Sequence, residues 1–313
     1  MSVTERPRMR LVAGMGSLDD YLDFCDAGAD ELFIGFVPED WQVRHGLMVP
    51  LNRREVCYYN VQLGACSELA ILASMVRRRG VPVTIAMNGL CYQPGQYQEI
   101  AAIMEKCAGL GFDRFIVADP ALLCHLAGTG AEYHLQVSGE MGEVNRYAMA
   151  EWQALGAERV IFRRRVAPED MATMIRAVPE MEYEAFLLNE ACQFHGAYCN
   201  SLHCDELPPM CRVPYELGTV AGERLPLAGR ETVDDVVGAG GCGLCAMHAM
   251  RAAGVTHLKI VGRGAGSDGM LRSLRTARRA LDLLDTAGSE AAFQTAIRHE
   301  LFPHGCSGDC YYR

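Results

Sequence analysis

Short apolar runs alternate with longer amphipathic ones along most of the chain. The short runs lie at residues 10–13, 31–35 (ELFIG), 83–87 (VTIAM), 114–117 (RFIV), 132–137 (EYHLQV), 159–162, 183–188 (YEAFLL) and 257–261 (HLKIV). Their β-branched and aromatic content and their brevity predict strands. The amphipathic stretches at 17–27, 67–79, 96–110, 121–127, 145–155, 168–177, 246–253 and about 270–287 predict helices. Ser17 caps the first, with Asp19 and Asp20 in the turn where the helix dipole favours acids, and Gly28 ends it. Pro168 stands at the start of another, where its missing N–H costs nothing. Residues 36–64 fit neither pattern; they hold Trp41 and the tract PLNRREVCYYN, and a connection this long inside a compact domain is commonly functional.

Strand followed by helix, repeated about eight times, predicts parallel strands joined by crossover helices. The expected fold is therefore α/β, a TIM-type (β/α) barrel, with one strand allowed to be irregular or missing. An open doubly wound sheet is the alternative. The recurring GADELF, GFDRFI, GAERVI and GVTHLK, each a helix-ending glycine leading into a strand, favour the barrel. Residues 1–287 form the expected barrel domain, interrupted by a cysteine loop at 189–245 after the seventh strand; residues 288–313 form a tail carrying a CxxxC.

That loop contains the main candidate chemistry. The segment NEACQFHGAYCNSLHCDELPPMCR holds Cys192, Cys199, Cys204 and Cys211, and Pro208 and Pro209 keep it from being a regular helix. Cys242 and Cys245 form a CxxC, and Cys306 and Cys310 the terminal CxxxC. A single cysteine reads as a buried thiol. So many in the last third of the chain read as thiolate ligands for zinc or an iron–sulfur cluster, and spacing alone leaves those two level. His195 and His203 in the loop read as ordinary polar residues.

Composition narrows the setting. The 313 residues carry a net charge of −10, against a general nucleic-acid binder, although Arg77–Arg79 and Arg163–Arg165 are local basic runs. No apolar run is long enough to span a membrane. The start, MSVTERPRMR, lacks the apolar core of a secretory signal. With 14 cysteines, the expected compartment is the reducing cytoplasm, where metal binding outranks disulfides.

In a barrel, function sits where strands end. Those positions supply Asn88, Asp119, Ser138 with Glu140, Arg163 to Arg165, the cysteine loop and Arg263. Glu140, Asp119 and Asn88 are the catalytic candidates; for the last two, turn and cap chemistry is an equal reading. Arg164 is a candidate for binding an anionic group. The run GRGAGSDG at 262–269 predicts a further anion site from Arg263, Gly264 and Ser267, because close-set glycines let amides turn toward a ligand at the start of a helix.

These residues also resemble a known family, the collagenase-like peptidases of peptidase family U32. RLVAGMGSLDDYLDFCDAGADELFIGF is similar to its first βα unit, VTIAMNGL and FIVADPALL to its third and fourth strand ends, and LQVSGEMGEVN to a loop bearing Ser138 and Asn145. YEAFLLNEACQFHGAYC aligns with its cysteine loop, MCRVPYEL with a tract at Cys211, and HLKIVGR with a signature at Lys259, Gly262 and Arg263. The chain departs from the pattern at Leu188-Asn189, Arg164-Arg165 and Val261. The resemblance implies a 4Fe-4S cluster on Cys192, Cys199, Cys211 and Cys242, with Cys204 and Cys245 as alternates and zinc as the alternative metal. It leaves further cysteines for a second cluster. It implies redox or oxygen-independent hydroxylation-type chemistry on a small or RNA-borne substrate, with a related subunit as a partner. The rival readings are a peptidase and a non-catalytic, cluster-bearing partner protein.

Overall fold

The computed structural model describes residues 7–46, 50–53, 61–142, 145–190, 192, 199, 222, 237–238, 240–263 and 266–312. Nine strands appear in order: β1 (Arg10–Gly14), β2 (Glu31–Phe36), β3 (Gln62–Leu63), β4 (Val83–Met87), β5 (Arg114–Val117), β6 (His134–Val137), β7 (Ala157–Ile161), β8 (Glu182–Leu188) and β9 (His257–Ile260). The helices are α1 (Asp20–Asp26), α2 (Glu39–His45), α3 (Cys66–Arg79), α4 (Gln96–Gly109), α5 (Pro120–Thr129), α6 (Arg146–Ala154), α7 (Pro168–Ala177), α8 (Met247–Ala253), α9 (Ser267–Thr286) and α10 (Glu290–Leu301). The sheet runs β1-β9-β8-β7-β6-β5-β4-β2, and β1 also pairs with β2, so eight parallel strands close into a TIM-type barrel. The two-residue β3 pairs beside the end of β2, where β1 has already stopped.

Period-two alternation sorts the side chains into two cores. Leu32, Ile34 and Phe36 of β2, and Tyr183, Ala185 and Leu187 of β8, point outward into the core under the helices. Between them, Phe33 and Phe186 point inward and join Val12, Ile116, Ile161, Val261 and Tyr311 in a small cluster inside the barrel. Each fully buried large apolar side chain contributes roughly 1.5–3 kcal/mol, so the outer core dominates stability.

The inner face of the N-terminal half of the barrel is ionic instead. Arg159 donates to both oxygens of Glu31, at 3.0 and 2.9 Å, to Glu184 at 3.1 Å and to Glu182 at 2.9 Å. Lys259 donates to Glu184 at 2.6 Å. Thr84 and Gln136 complete the shell of Glu31, at 2.7 and 3.1 Å. Burial alone would raise the Glu31 carboxyl, but the charge and hydrogen bonds of Arg159 hold it down at about 2. Burial and Arg159 push His257 below its ordinary value, and its Nε2 faces an Arg159 N–H at 3.0 Å as an acceptor.

Three elements, α2, β3 and α10, are absent from the sequence reading. The stretch 36–64 contains α2, fixed by buried Trp41 and by Arg44 and His45 pairing with Glu99. Residues 290–301 form α10, capped by Ser289 and anchored in the main core by Phe293 and Ile297.

Candidate active site at the barrel mouth

The strand ends bring most of the candidate residues to one rim. Ser138 accepts the Glu140 N–H at 3.1 Å and so folds the turn after β6. At Gly139 an added Cβ would stand 3.0 Å from the Ile161 and Phe162 carbonyls, so only glycine lets this turn lie against the end of β7. Glu140 then meets Arg164 at 3.2 Å and Arg53 at 3.9 Å. Arg164 is buried, its guanidinium lies 3.9 Å over the Phe186 ring, and its Nε has no hydrogen-bond partner among the described residues. Burial opposes its charge, but Glu140 first, then Tyr311, Cys192 and Glu190, together hold it above the usual arginine value.

Arg53 reaches the same place from the tract after α2. Its backbone N–H is accepted by Asn88 at 3.2 Å, one of its Nη atoms approaches the Cys199 carbonyl at 3.4 Å, and its buried Nε has no partner among the described residues. Arg263 is buried, donates to Asn52 at 3.2 Å and sits 5.8 Å from the Phe33 ring centre. Arg165, Asn189 and Glu190 adopt left-handed φ of 69°, 68° and 52°, which non-glycine residues rarely take and which cluster at functional sites.

Asp119 belongs to the scaffold of this rim. One of its oxygens caps α5 through Ala121 at 2.8 Å; the other accepts Tyr92 N–H at 3.0 Å and the Tyr97 hydroxyl at 3.1 Å. Asn88 likewise organises the Arg53 backbone. Ser267 opens α9 and donates to Asp20 at 2.6 Å, so a carboxylate of the chain itself stands beside that helix start. Gly264, the amide named for the anion site, lies outside the described residues.

The cysteines divide. Cys199 is 3% exposed and Cys192 half-buried, both on the segment leaving β8. Cys204 and Cys211 lie outside the described residues. Cys242 pairs with Leu188 at the end of β8 and with Cys310 of the tail. Burial pushes its thiol up to about 12, with Cys245, Cys310 and Cys306 as like charges nearby. Among the described residues no three His, Cys, Asp or Glu side chains stand in a metal-ligating arrangement, and no helix is long and apolar enough to cross a membrane.

Sequence reasoning singled out the cysteines of the tail but missed its aromatics. Tyr311 enters the cluster inside the barrel against Phe186, and its hydroxyl donates to the Asn189 carbonyl. Tyr312 donates to the Phe186 carbonyl at 2.7 Å. Two aromatics directly after a CxxxC were the available signal. Arg53 and Asn52 were also missed, although the long irregular tract that bears them was singled out.

Comparison with known proteins adds three findings. The model described as Peptidase family U32 matches residues 16–307. A protein named tRNA hydroxylation protein P from Escherichia coli (strain K12) is 26% identical over 172 residues, 55% of this chain, and its namesake from Haemophilus influenzae is 22% identical over 197 residues, 63% of this chain. These matches span only 34% and 39% of those relatives' own lengths. The solved structure of the U32 peptidase Mk0906 superposes with a TM-score of 0.50 at 16% identity, covering 82% of this chain and 93% of that one, a likeness of fold.

Proposed function

The chain belongs to peptidase family U32, and on that premise we propose that it carries out oxygen-independent, hydroxylation-type redox chemistry on an RNA-borne substrate at the barrel mouth. The observation that carries the reading is the Glu140–Arg164–Arg53 constellation, set beside Cys192 and Cys199 at the ends of β6 and β8. The relatives named for tRNA hydroxylation support it from outside.

The cofactor of this reading is a 4Fe-4S cluster. Cys192, Cys199 and Cys211 are three of its ligands, and Cys242 is the fourth, with Cys204 and Cys245 as alternates. The donor set suits the group: the described loop thiols leave the barrel beside two guanidiniums, which offset the negative charge of a thiolate-held cluster. Bound there, the cluster supplies electron transfer or a Lewis-acid iron.

The chain's own residues do the rest. Arg164 and Arg53 orient an anionic group, and their buried Nε atoms leave N–H donors for a phosphate or carboxylate oxygen. Glu140 offers a carboxylate oxygen to take a proton from a bound hydroxyl or water. Phe186, Phe33 and Tyr311 floor the mouth with apolar surface and keep water from entering below.

The test is an anaerobic incubation of the reconstituted chain with RNA and an added electron acceptor, which takes the two electrons released when water supplies the oxygen atom, followed by nucleoside mass spectrometry. A nucleoside gaining one oxygen atom, lost in Glu140→Gln while iron content is kept, is the expected result. Unmodified RNA together with protein hydrolysis that survives repurification would replace this reading with the peptidase one.

A further inference from the structure

The tail folds back over the start of the cysteine loop, and the proposed chemistry gives it no task beyond covering the barrel interior. Residues 241–243 lie between the end of β8 and the tail. On one side the Asn189 N–H donates to the Gly241 carbonyl at 2.9 Å, and the Gly243 N–H to the Leu187 carbonyl at 2.7 Å. On the other side the Cys242 N–H donates to the Asp309 carbonyl, and the Tyr311 N–H to the Cys242 carbonyl, both at 2.8 Å. This ladder delivers the Tyr311 side chain into the small cluster inside the barrel, where it is 4% exposed. A Cβ added at Gly241 would stand 2.5 Å from the Tyr311 ring and hydroxyl, so only glycine there admits the side chain. Tyr312 beside it donates to the Phe186 carbonyl at 2.7 Å. The matched family model stops at residue 307, so Tyr311 lies beyond it.

Inside the barrel Tyr311 meets Arg164. Both pack on Phe186: the guanidinium lies 3.9 Å over that ring, and the Tyr311 ring stands edge-on to it with centres 6.5 Å apart. The Tyr311 hydroxyl gives its single proton to the Asn189 carbonyl, so what it turns toward Arg164 is a lone pair. Burial raises the phenol, and the guanidinium beside it pulls the other way. Arg164 is also held at one Nη by Glu140, at 3.2 Å. One ion pair and a ring under its face leave a guanidinium free to swing in its own plane; a fixed oxygen at a second edge stops that swing. The buried Nε–H is left over, with no partner among the described residues. We propose that Tyr311 is a positioning residue, whose hydroxyl locks the Arg164 guanidinium so that its Nε–H is presented to an RNA phosphate oxygen. The proposal rests on the reading of an RNA-borne substrate at this mouth and names what sets the phosphate contact there. Phosphate is the anion that every nucleotide of an RNA carries, and contacts to it fix register. The same hydroxyl holds the carbonyl of Asn189, whose left-handed φ of 68° starts the segment leading to Cys192. One atom of the tail therefore ties the phosphate contact to the start of the cysteine loop.

The test follows binding of a labelled single-stranded oligoribonucleotide to the anaerobically purified full chain by fluorescence anisotropy. Four forms are compared: the unaltered chain, Tyr311→Phe, Arg164→Met and the double variant. Tyr311→Phe keeps the ring and removes only the hydroxyl. It should weaken binding about tenfold, the scale of one misdirected hydrogen bond to a charged group. In the Arg164→Met background the same change should alter affinity less than about twofold, because Tyr311 acts through Arg164. Melting falls with Tyr311→Phe under any account, since the Asn189 carbonyl loses its donor, so the readout is the coupling between the two changes. Bound iron should match that of the unaltered chain. Full affinity in Tyr311→Phe while Arg164→Met is weakened would overturn the proposal and leave the RNA reading standing. A further, independent loss in the double variant would mean that Tyr311 serves folding alone and would overturn it too, as would an affinity lost only together with iron. An unaltered chain that binds no RNA would overturn the proposal and the RNA reading together.

Discussion

Two groups of charges sit along the same barrel, and they are built on opposite principles. In the lower interior, Arg159 spends its donors on Glu31, Glu182, Glu184 and His257, and Lys259 closes on Glu184. At the mouth, Arg164 meets Glu140 and lies over Phe186, yet its Nε, like that of Arg53, has no partner among the described residues. Left-handed backbone gathers only at the mouth end, at Arg165, Asn189 and Glu190 among the described non-glycine residues. In the lower network every charged side chain meets an opposite charge, and the atom without a partner among the described residues is a neutral acceptor, Gln136 Oε1. At the mouth two buried guanidinium donors lack partners beside left-handed backbone, as at a site for an anionic ligand. Buried charge alone does not mark function.

Breaking the lower network should have the largest effect. Arg159→Met leaves Glu31 buried without its cation and Glu184 with Lys259 alone, so a loss of about 3–5 kcal/mol in urea unfolding is expected. A loss under ~1 kcal/mol would mean that the network does not hold the barrel.

Acid titration sharpens the same point. Glu31 is depressed in the folded state, to about 2 from an ordinary 4.5, so its contribution is present above 4.5 and is lost as pH falls toward 2. His257 is depressed as well, so its unfolded form takes up protons first and stability begins to fall below 6.5. Together these predict a loss that starts below pH 6.5 and steepens between 4.5 and 2, worth about 3 kcal/mol from Glu31. Glu31→Gln should flatten the steeper part; an unchanged slope between those values would contradict the assignment.

The mouth should behave in reverse. Arg164→Met and Glu140→Gln should lower turnover by about a hundredfold or more. Glu140→Gln should shift stability by only about 1 kcal/mol, since its carboxylate is partly exposed. A melting loss as large as that of Arg159→Met would erase the distinction. Asp119→Ala removes a cap and leaves the buried Tyr92 N–H without its acceptor, and should cost about 2 kcal/mol without changing turnover or bound iron, the smallest functional effect.

The barrel was legible in the sequence because its eight main strands alternate with helices, and all but β1 and β8 follow a glycine that ends the preceding helix. Glu140, Arg164 and Arg263 were legible for the same reason, since strand ends in a barrel share one face. What escaped depends on long-range contact. The two-residue β3 exists only as a partner of Gly35 and Phe36. Helix α2 is anchored by one tryptophan and by Glu99 from far along the chain. Tyr311 acquires a role only when the tail folds back beside Cys242. Asp119 read as equally a cap or a catalyst, and its three hydrogen bonds within the rim account for both of its oxygens.

The central claim is that the unsaturated mouth serves an iron–sulfur cluster on the β8 loop. The most direct measurement is the absorption spectrum of anaerobically purified chain with iron and sulfide analysis, alongside Cys199→Ala and Cys107→Ala. The account predicts a brown protein with a broad sulfur-to-iron charge-transfer band and about four iron on that loop, abolished by Cys199→Ala and untouched by Cys107→Ala, whose thiol is packed in the main core. A colourless protein, or a band that survives Cys199→Ala, would contradict it.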